Sequence, residues 1–515
     1  MPLLTLHGHK TLHRHKKIVA SPMLMIFFSL FITSATCLPA GEQRPNILWF
    51  VVDDMSANFS CYGETNTNTP NVDRLAQEGT RFTHAFVTAP VCSPCRSALI
   101  TGMYQTSIGS HHHRSGRGAQ KIFLPSDVVP IPKLLQDAGY FTCIGSGLKD
   151  TNPRGKRTRN GAMPLGKTDY NFEWDPSIYA AADWSDRKPG QPFFMQVQLL
   201  GGKLRGGTDQ EAQRLSAEAV AAFGQATDPN QITLPPYYPR DPVLLRDWAA
   251  YLDAVRFTDQ HVGKVIDRLK QEGVFDNTLI IFMTDHGISH ARGKQFLYNE
   301  GTHIPLILRG PGIPQGKTRD DLVMHIDLAA ITLTAAGIAK PASMQAENII
   351  DPSYQPRSMI FAARDRCDET VERLRSVRTE EYLYIRNFYP KRPHLQPNAY
   401  KDGKSIIQTL RQLHEQNQLP ELSQRLLFSA ERPAEELYRW REDRWQVDNL
   451  ADSAEHQAEL IRHRQWLDQW IVDSGDKGYE SNEMFDSDMK VYVGKGNPEV
   501  EHNIEIMKRW AQEGK

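Results

Sequence analysis

Two stretches of this chain are short, unbroken apolar runs that each end on acidic side chains. Asn46 to Val52 (NILWFVV) is followed by Asp53 and Asp54, and Thr278 to Thr284 (TLIIFMT) by Asp285, His286 and Gly287. A run without polar alternation suits a strand buried on both faces, the habit of central strands in largely parallel sheets. Pro192 to Leu199 (PFFMQVQL) has the same texture, and Ile304 to Leu308 adds a further strand. Pro70 to Gly79, Ile131 to Gly139 and Val243 to Gly273 carry helical spacing with glycine stops, and His325 to Gly337 reads as another helix. Strand and helix therefore alternate, which predicts an α/β fold. In such sheets ligands lie beyond the carboxyl ends of the strands, so the two acidic clusters are expected to share one site.

A chain of 515 residues is long enough for more than one folding unit. Lys10, Arg14, Lys16 and Lys17 precede an apolar run from Met23 to Ile32 and the small residues Thr33 to Thr36, a signal-peptide pattern over residues 1–40 that predicts an exported, periplasmic or extracellular protein. The run is short for a bilayer span, and no transmembrane anchor is expected after cleavage. A lipoprotein site at Cys37 would lack the preceding leucine such sites carry. Residues 44–350 read as the main domain. Residues 351–476 read as a smaller α+β subdomain, with strands in Ser376 to Asn387 and Glu435 to Trp440 and a closing helix over Ala454 to Ser474. Residues 477–515 read as a polar tail. Lys plus Arg number 60 against 61 Asp plus Glu, so no global field favours nucleic acid as a partner. Removing the leader leaves five cysteines, Cys61, Cys92, Cys95, Cys143 and Cys367, and an odd count in an oxidising compartment marks at least one for chemistry or burial.

The most specific segment is Cys92-Ser93-Pro94-Cys95-Arg96-Ser97-Ala98-Leu99-Ile100-Thr101-Gly102. It resembles the signature of the sulfatase family: Cys, any residue, Pro, any residue, Arg, then a hydrophobic residue and Thr-Gly. The resemblance implies an alkaline-phosphatase-like fold, with a mixed, mostly parallel sheet between helices and a smaller C-terminal α+β part. It implies that Cys92 is oxidised to formylglycine by a formylglycine-generating enzyme. One hydroxyl of the hydrated aldehyde would attack sulfur and the other would later expel sulfate, dividing one hard step into two. Arg96 would hold the hydrated aldehyde, and a helix beginning near Ser97 to Met103 would turn its positive end toward the anion. The metal ligands implied are Asp53, Asp54, Asp285, His286 and an oxygen of the modified Cys92, around one divalent cation, calcium in preference to magnesium. Many sulfatases have Asn where this chain has His286. Lys294, in Gly293-Lys294-Gln295-Phe296, matches the lysine that the family sets against the substrate sulfate.

Two departures concern the leaving group. Where many sulfatases carry Gly-Lys-x-His this chain has Gly145-Ser146-Gly147-Leu148, with Lys149 just beyond, and where a second His is usual it has Leu200-Gly201-Gly202-Lys203. Lys149 is taken as the catalytic replacement, with Lys203 or one of His111 to His113 as alternatives. Arg373-Leu374-Arg375-Ser376-Val377-Arg378-Thr379 is similar to the heparan N-sulfatase branch, and the substrate expected is a sulfated carbohydrate, from a glycosaminoglycan or an algal polysaccharide. The readings weighed against this are a phosphomonoesterase or phosphonate hydrolase of the same superfamily, a sulfated-glycan-binding protein without turnover, and a redox protein using Cys92 and Cys95.

Overall fold

The computed structural model describes residues 44–149 and 165–515, so the leader expected over residues 1–40, Cys37 included, lies outside the described residues. Among the described residues twelve strands form two sheets. The strands are β1 (Asn46–Val52), β2 (Thr80–Phe86), β3 (Phe141–Gly145), β4 (Phe193–Leu199), β5 (Thr278–Thr284), β6 (His303–Arg309), β7 (Lys317–Arg319), β8 (Val323–Met324), β9 (Met359–Arg364), β10 (Leu374–Thr379), β11 (Tyr382–Asn387) and β12 (Glu435–Arg439). The larger sheet runs β3-β4-β1-β5-β6-β2-β7, with β8 also on β2. β3, β4, β1 and β5 are mutually parallel, and β6 is antiparallel to both its neighbours.

All seven residues of β1 are buried because both faces of the sheet are covered. Successive side chains of a strand point to opposite faces. Leu48, Phe50 and Val52 therefore pack with Val72, Leu75 and Leu252 of the helices Pro70–Gln77 and Pro242–Gln271. Ile47, Trp49 and Val51 pack with Leu99, Leu135 and Leu328 of the helices Cys92–Thr101, Ile131–Asp137 and Asp327–Ala335. Each such side chain, fully buried, contributes about 1.5–3 kcal/mol, which is why an unbroken apolar run can be a central strand.

The smaller sheet runs β12-β11-β10-β9 and is antiparallel throughout. It is covered by the helix Gln457–Asp473 through Leu460, Leu467 and Trp470. The segment expected as strand over Ser376 to Asn387 is a hairpin, β10 and β11 turning at Glu380 and Glu381. Three helices between β11 and β12, Ala399–Asp402, Ser405–Glu415 and Glu421–Phe428, were not foreseen. The polar tail is two helices, Asn482–Val493 and Pro498–Gln512, whose Met489, Tyr492, Val500 and Ile504 form a small apolar cluster of their own. Among the described residues no helix is long and apolar enough to cross a membrane.

The turn after β4 is shaped by Gly201 and Gly202. A Cβ on Gly202 would lie 2.1 Å from the carbonyl oxygen of Asp54, and one on Gly201 would lie 2.2 Å from that of Asp53. Only glycine lets this turn rest on the backbone of the acidic pair, and the Gly202 amide donates to Asp53 O at 2.9 Å. The diglycine that stands in place of the expected histidine region is thus the means by which Lys203 is brought to the site. Gly202→Ala is expected to cost about 1–3 kcal/mol by overpacking and to lower the melting temperature. Gly190→Ala, at a positive φ of 75° with open space around it, should cost only about 1 kcal/mol from backbone strain. A thermal melt of the two variants distinguishes steric contact from conformational preference.

Candidate active site

The site begins with register. Val52 is paired with Thr284 on one side and with Leu199 on the other, so three parallel strands end at one level. Asp53-Asp54, Asp285-His286 and the turn carrying Lys203 therefore emerge side by side. The backbone ties them: Asp285 N donates to Val52 O at 2.8 Å, Asp53 N to Leu199 O at 3.0 Å, and Asp54 N to the Asp285 carboxylate at 3.0 Å. Asp54 takes a left-handed φ of 52° at the strand end, a conformation that Asp tolerates better than most residues.

Cys92 is the first residue of the helix Cys92–Thr101, five residues earlier than the sequence had suggested, and is followed by Pro94 within the first turn. Proline is tolerated there because the first amides have no intrahelical acceptor. The Cys92 Sγ faces the acidic clusters and three lysines. Lys294 Nζ lies 3.1 Å away, His286 Nε2 3.2 Å, Asp54 Oδ1 3.7 Å and Lys203 Nζ 3.8 Å. Burial alone would raise the thiol pKa, but Lys167, Lys203, Lys294 and His286 outweigh it and hold the thiol well below its usual range. Cys95, one turn on, packs into the apolar core, where burial and the Asp285 carboxylate push its thiol well up. A redox pair of the two is thereby disfavoured: one sulfur faces charge and the other faces hydrocarbon.

Three carboxylates, Asp53, Asp54 and Asp285, are no more than 1 % exposed, and buried anions of this kind need partners. Arg96 donates to Asp285 at 3.0 and 3.1 Å and also binds Asp53 and Gln198. Arg96 thus orients the carboxylates beside position 92. Lys167 Nζ reaches Asp53 at 3.1 and 3.2 Å, and Lys203 Nζ reaches it at 2.7 Å. Lys294 Nζ donates to Asp54 at 3.1 Å. Burial would raise the Asp54 pKa; Lys203, Lys294 and His286 bring it well below the ordinary carboxylate value. The cluster thus sets four permanent cations against three carboxylates at a helix N-terminus, an arrangement that favours an anion.

The residues also suit a hard divalent cation. Ligand atoms of Asp54, Cys92 and His286, all buried, lie within 4.8 Å of one another, and Asp285 Oδ1 is 3.5 Å from His286 Nε2. Carboxylate oxygens with one imidazole are a donor set for calcium or magnesium. The ring is oriented by His286 Nδ1, 2.9 Å from Gly287 O, the kind of hydrogen bond that selects a metal-binding tautomer.

Cys92, Lys167, Lys203 and Lys294 stand at one end of a cavity of about 870 Å³, whose walls include Arg114, Trp174 and Tyr400. That volume accommodates more than one sugar unit. Tyr400 donates to Asp54 at 3.3 Å, and its ring lies 5.0 Å from Lys294 Nζ. His113 also lines the cavity and binds Asp368 at 3.0 Å, which outweighs burial and raises its pKa well above the usual value. Of the three adjacent histidines only His113 lines this cavity; His111 meets Gly478 O at 3.1 Å, and His112 faces elsewhere. Left-handed backbone at Arg114, Asp169 and Asp368 lies in the cavity wall. Each such residue costs about 1–3 kcal/mol and persists only where the surroundings impose it, as at functional sites.

The structure brings together Asp53, Asp54, Cys92, Arg96, Asp285, His286 and Lys294. Lys149 is different: it lies exposed in the turn after β3 and makes no contact with the cluster among the described residues. Lys167 and Lys203 hold the positions beside Asp53. Lys167 was missed, although Gly166-Lys167 repeats the Gly-Lys pair that the end of β3 lacks; it lies too far along the chain for spacing to reveal it.

Comparison with known proteins agrees with this geometry. The family described as Sulfatase matches residues 45–338, and the one described as N-sulphoglucosamine sulphohydrolase, C-terminal, matches residues 286–432. The chain is 30% identical over 473 residues to an ulvan-active sulfatase of Formosa agariphila, across 84% of this chain and 76% of that protein. It is 29% identical over 357 residues to the N-acetylgalactosamine-6-sulfatase of Canis lupus familiaris, across 61% of this chain and 66% of that protein. A solved structure of an enzyme in complex with its substrate D-glucosamine-2-N,6-O-disulfate shares the fold, with a TM-score of 0.57 at 19% identity over 84% of this chain and 99% of that one. A buried cysteine at a helix start, facing paired acidic strand ends and lysines, with a family match over more than half its length, places this chain in the sulfatase family of sulfuric ester hydrolases.

Proposed function

We propose that this protein is an exported, metal-dependent sulfatase that removes sulfate from a sulfated carbohydrate, with formylglycine at position 92 as its nucleophile. The observation that carries the reading is the position of Cys92, at a helix N-terminus within 3.8 Å of Lys294, Lys203, His286 and Asp54 and open to a cavity of sugar size. Converted to formylglycine, residue 92 would supply a hydrated aldehyde with one hydroxyl to attack sulfur and another to release it. A divalent ion held by Asp53, Asp54, Asp285 and His286 would polarise the sulfate oxygens.

The chain's own residues do the remaining work. Lys294 and Lys203 are within reach of both position 92 and the acidic pair, and would bind the sulfate oxygens and balance charge that grows on them. Lys167, braced by Asp53 and 3.8 Å from Asp169, extends the cationic wall toward the sugar. Arg96 keeps Asp53 and Asp285 oriented. Trp174 and Tyr400 in the cavity wall offer ring faces for sugar stacking. One relative, 30% identical, is an ulvan-active sulfatase, which makes ulvan oligosaccharides the first substrates to screen, followed by N-sulfated and O-sulfated glucosaminoglycans. Export is supported by the leader pattern of residues 1–40.

Peptide mass spectrometry of the Cys92 segment, on protein made with a formylglycine-generating enzyme, should find the aldehyde in place of the thiol and labelling by a hydrazide. A thiol retained where a control sulfatase is converted would sink the proposal. In the converted enzyme Lys294→Ala should lower kcat toward an aryl sulfate by about 10²–10³-fold, the usual effect of removing one donor to developing negative charge. Turnover of aryl phosphate in excess of aryl sulfate would instead favour a phosphate monoesterase. Chelation should abolish turnover and calcium should restore it. At about 100 times its dissociation constant the ion should also stabilise the fold by about 2.7 kcal/mol, read as a rise in melting temperature that Asp54→Asn diminishes.

A further inference from the structure

Behind the catalytic cavity, His112-His113 and Arg366 to Asp368 form a ridge. His113 and Asp368 line the catalytic side, whereas His112 and Arg366 line a second cavity of about 780 Å³. One wall of this second cavity comes from residues 371–373 and 388–392. The other comes from the tail, through Tyr479, Phe485 and Met507. The tail lies beyond both family-matched segments, 45–338 and 286–432. We propose that this cavity is a second carbohydrate site, which binds a sulfated sugar unit of the glycan apart from the catalytic centre; the choice of glycan rests on the function proposed above.

Charge carries the inference. Arg373 is only 8 % exposed, its Nε has no hydrogen-bond partner, and its guanidinium lies between the rings of Phe388 and Tyr479, 4.4 and 4.2 Å from their centroids. Among the described residues it has no carboxylate partner. Arg392, 1 % exposed, lies in the same wall and donates to the main-chain oxygens of Val371 and Lys515 at 2.6 and 2.8 Å. Nearby arginines are treated differently: Arg366 pairs with Glu480 and Asp488, and Arg375 with Asp365 and Asp476. The acids that line the cavity are already taken, Glu372 by Arg364 and Arg432, Glu480 by Arg366, Asp365 by Arg375 and Asp486 by Lys508. Among the described residues the buried Arg373 guanidinium is therefore left without an anion, a costly state that an incoming oxyanion relieves.

The chemistry of that anion follows from its surroundings. A planar guanidinium offers two parallel donors, which match two oxygens of a sulfate group. Exposed Lys391 lies at the same wall. Phe388, Tyr389 and Tyr479 surround these cations, and Tyr479 is 58 % exposed, a ring face on which the apolar face of a sugar can stack. His112, 6 % exposed with both ring nitrogens unpartnered, adds a polar group to the wall that a sugar hydroxyl can meet. Aromatic faces around the unpaired Arg373 guanidinium and the exposed Lys391 in a cavity of this size suit a sulfated sugar better than a free ion.

The test uses the full chain carrying Cys92→Ala, so that substrate is bound without being consumed. Affinity electrophoresis is run through gels containing ulvan or heparan sulfate, and through gels containing the same polymers after chemical desulfation. Sulfated polymer should retard the protein and desulfated polymer should not, and adding Arg373→Ala or Tyr479→Ala should each weaken the interaction about fivefold. Tyr479 is exposed, so its variant should keep the parent melting temperature and remains informative if Arg373→Ala unfolds the wall. No retardation by any sulfated polymer, retardation insensitive to Tyr479→Ala, or equal retardation by desulfated polymer overturns the second site. Sulfate release by the converted wild-type enzyme is measured in parallel. Its absence would bear on the catalytic reading alone, and retardation that Tyr479→Ala leaves unchanged on the second site alone.

Discussion

Three buried carboxylates at the ends of two adjacent parallel strands are the constraint on which the rest of the active site depends. Asp53, Asp54 and Asp285 are out of water, and the burial of such a group is tolerable only beside opposite charge. The cations arrive from four separate places: Arg96 from a helix, Lys167 from the loop beyond β3, Lys203 from the turn after β4 and Lys294 from the loop after β5. Charge compensation therefore joins segments that have no other reason to meet. It also leaves residue 92 among ammonium groups, a setting that favours an anion.

The loops that carry these cations are held by unusual backbone. Gln295 is left-handed at φ 80°, with its amide on Pro90 O at 2.9 Å and its side chain on Cys367 at 3.0 Å. It thus couples the loop bearing Lys294 both to the segment that starts the Cys92 helix and to the strap that carries Asp368. Asp368 is left-handed as well, and accepts from His113 at 3.0 Å and Tyr492 at 2.9 Å. The tail helix bearing Tyr492 therefore reaches the catalytic cavity, and the C-terminal part of the chain helps to build the site rather than merely closing the fold.

The central strands themselves were legible because burial on both faces leaves an unmistakable mark in sequence, whereas their order in the sheet was not. β1 and β5 lie over the residues expected, and the long helix Pro242–Gln271 follows the predicted spacing within two residues. β2 was not legible. Its T-R-F-T-H-A-F pattern is half polar, and it is a strand because β6 and β7 flank it. The tail was misleading for a related reason. Its composition is polar, but Met489, Tyr492, Val500 and Ile504 fall on facing sides of two helices and bury one another, which average composition does not record.

In the active site the sequence by itself determined the residues whose chemistry is bound to a motif: Cys92, Arg96 and the two acidic strand ends, with Lys294 close to one of them. Their proximity follows from strand register, and register follows from two apolar runs that can only be neighbours in one sheet. The remaining lysine was a matter of tertiary structure. Lys149 stands next in sequence to the strand end yet is exposed, whereas Lys167, eighteen residues further on, is the one at Asp53. A flexible side chain on an irregular loop has no periodicity to betray its direction, so its place is set by the charge it must meet, and that charge exists only once the strands have come together.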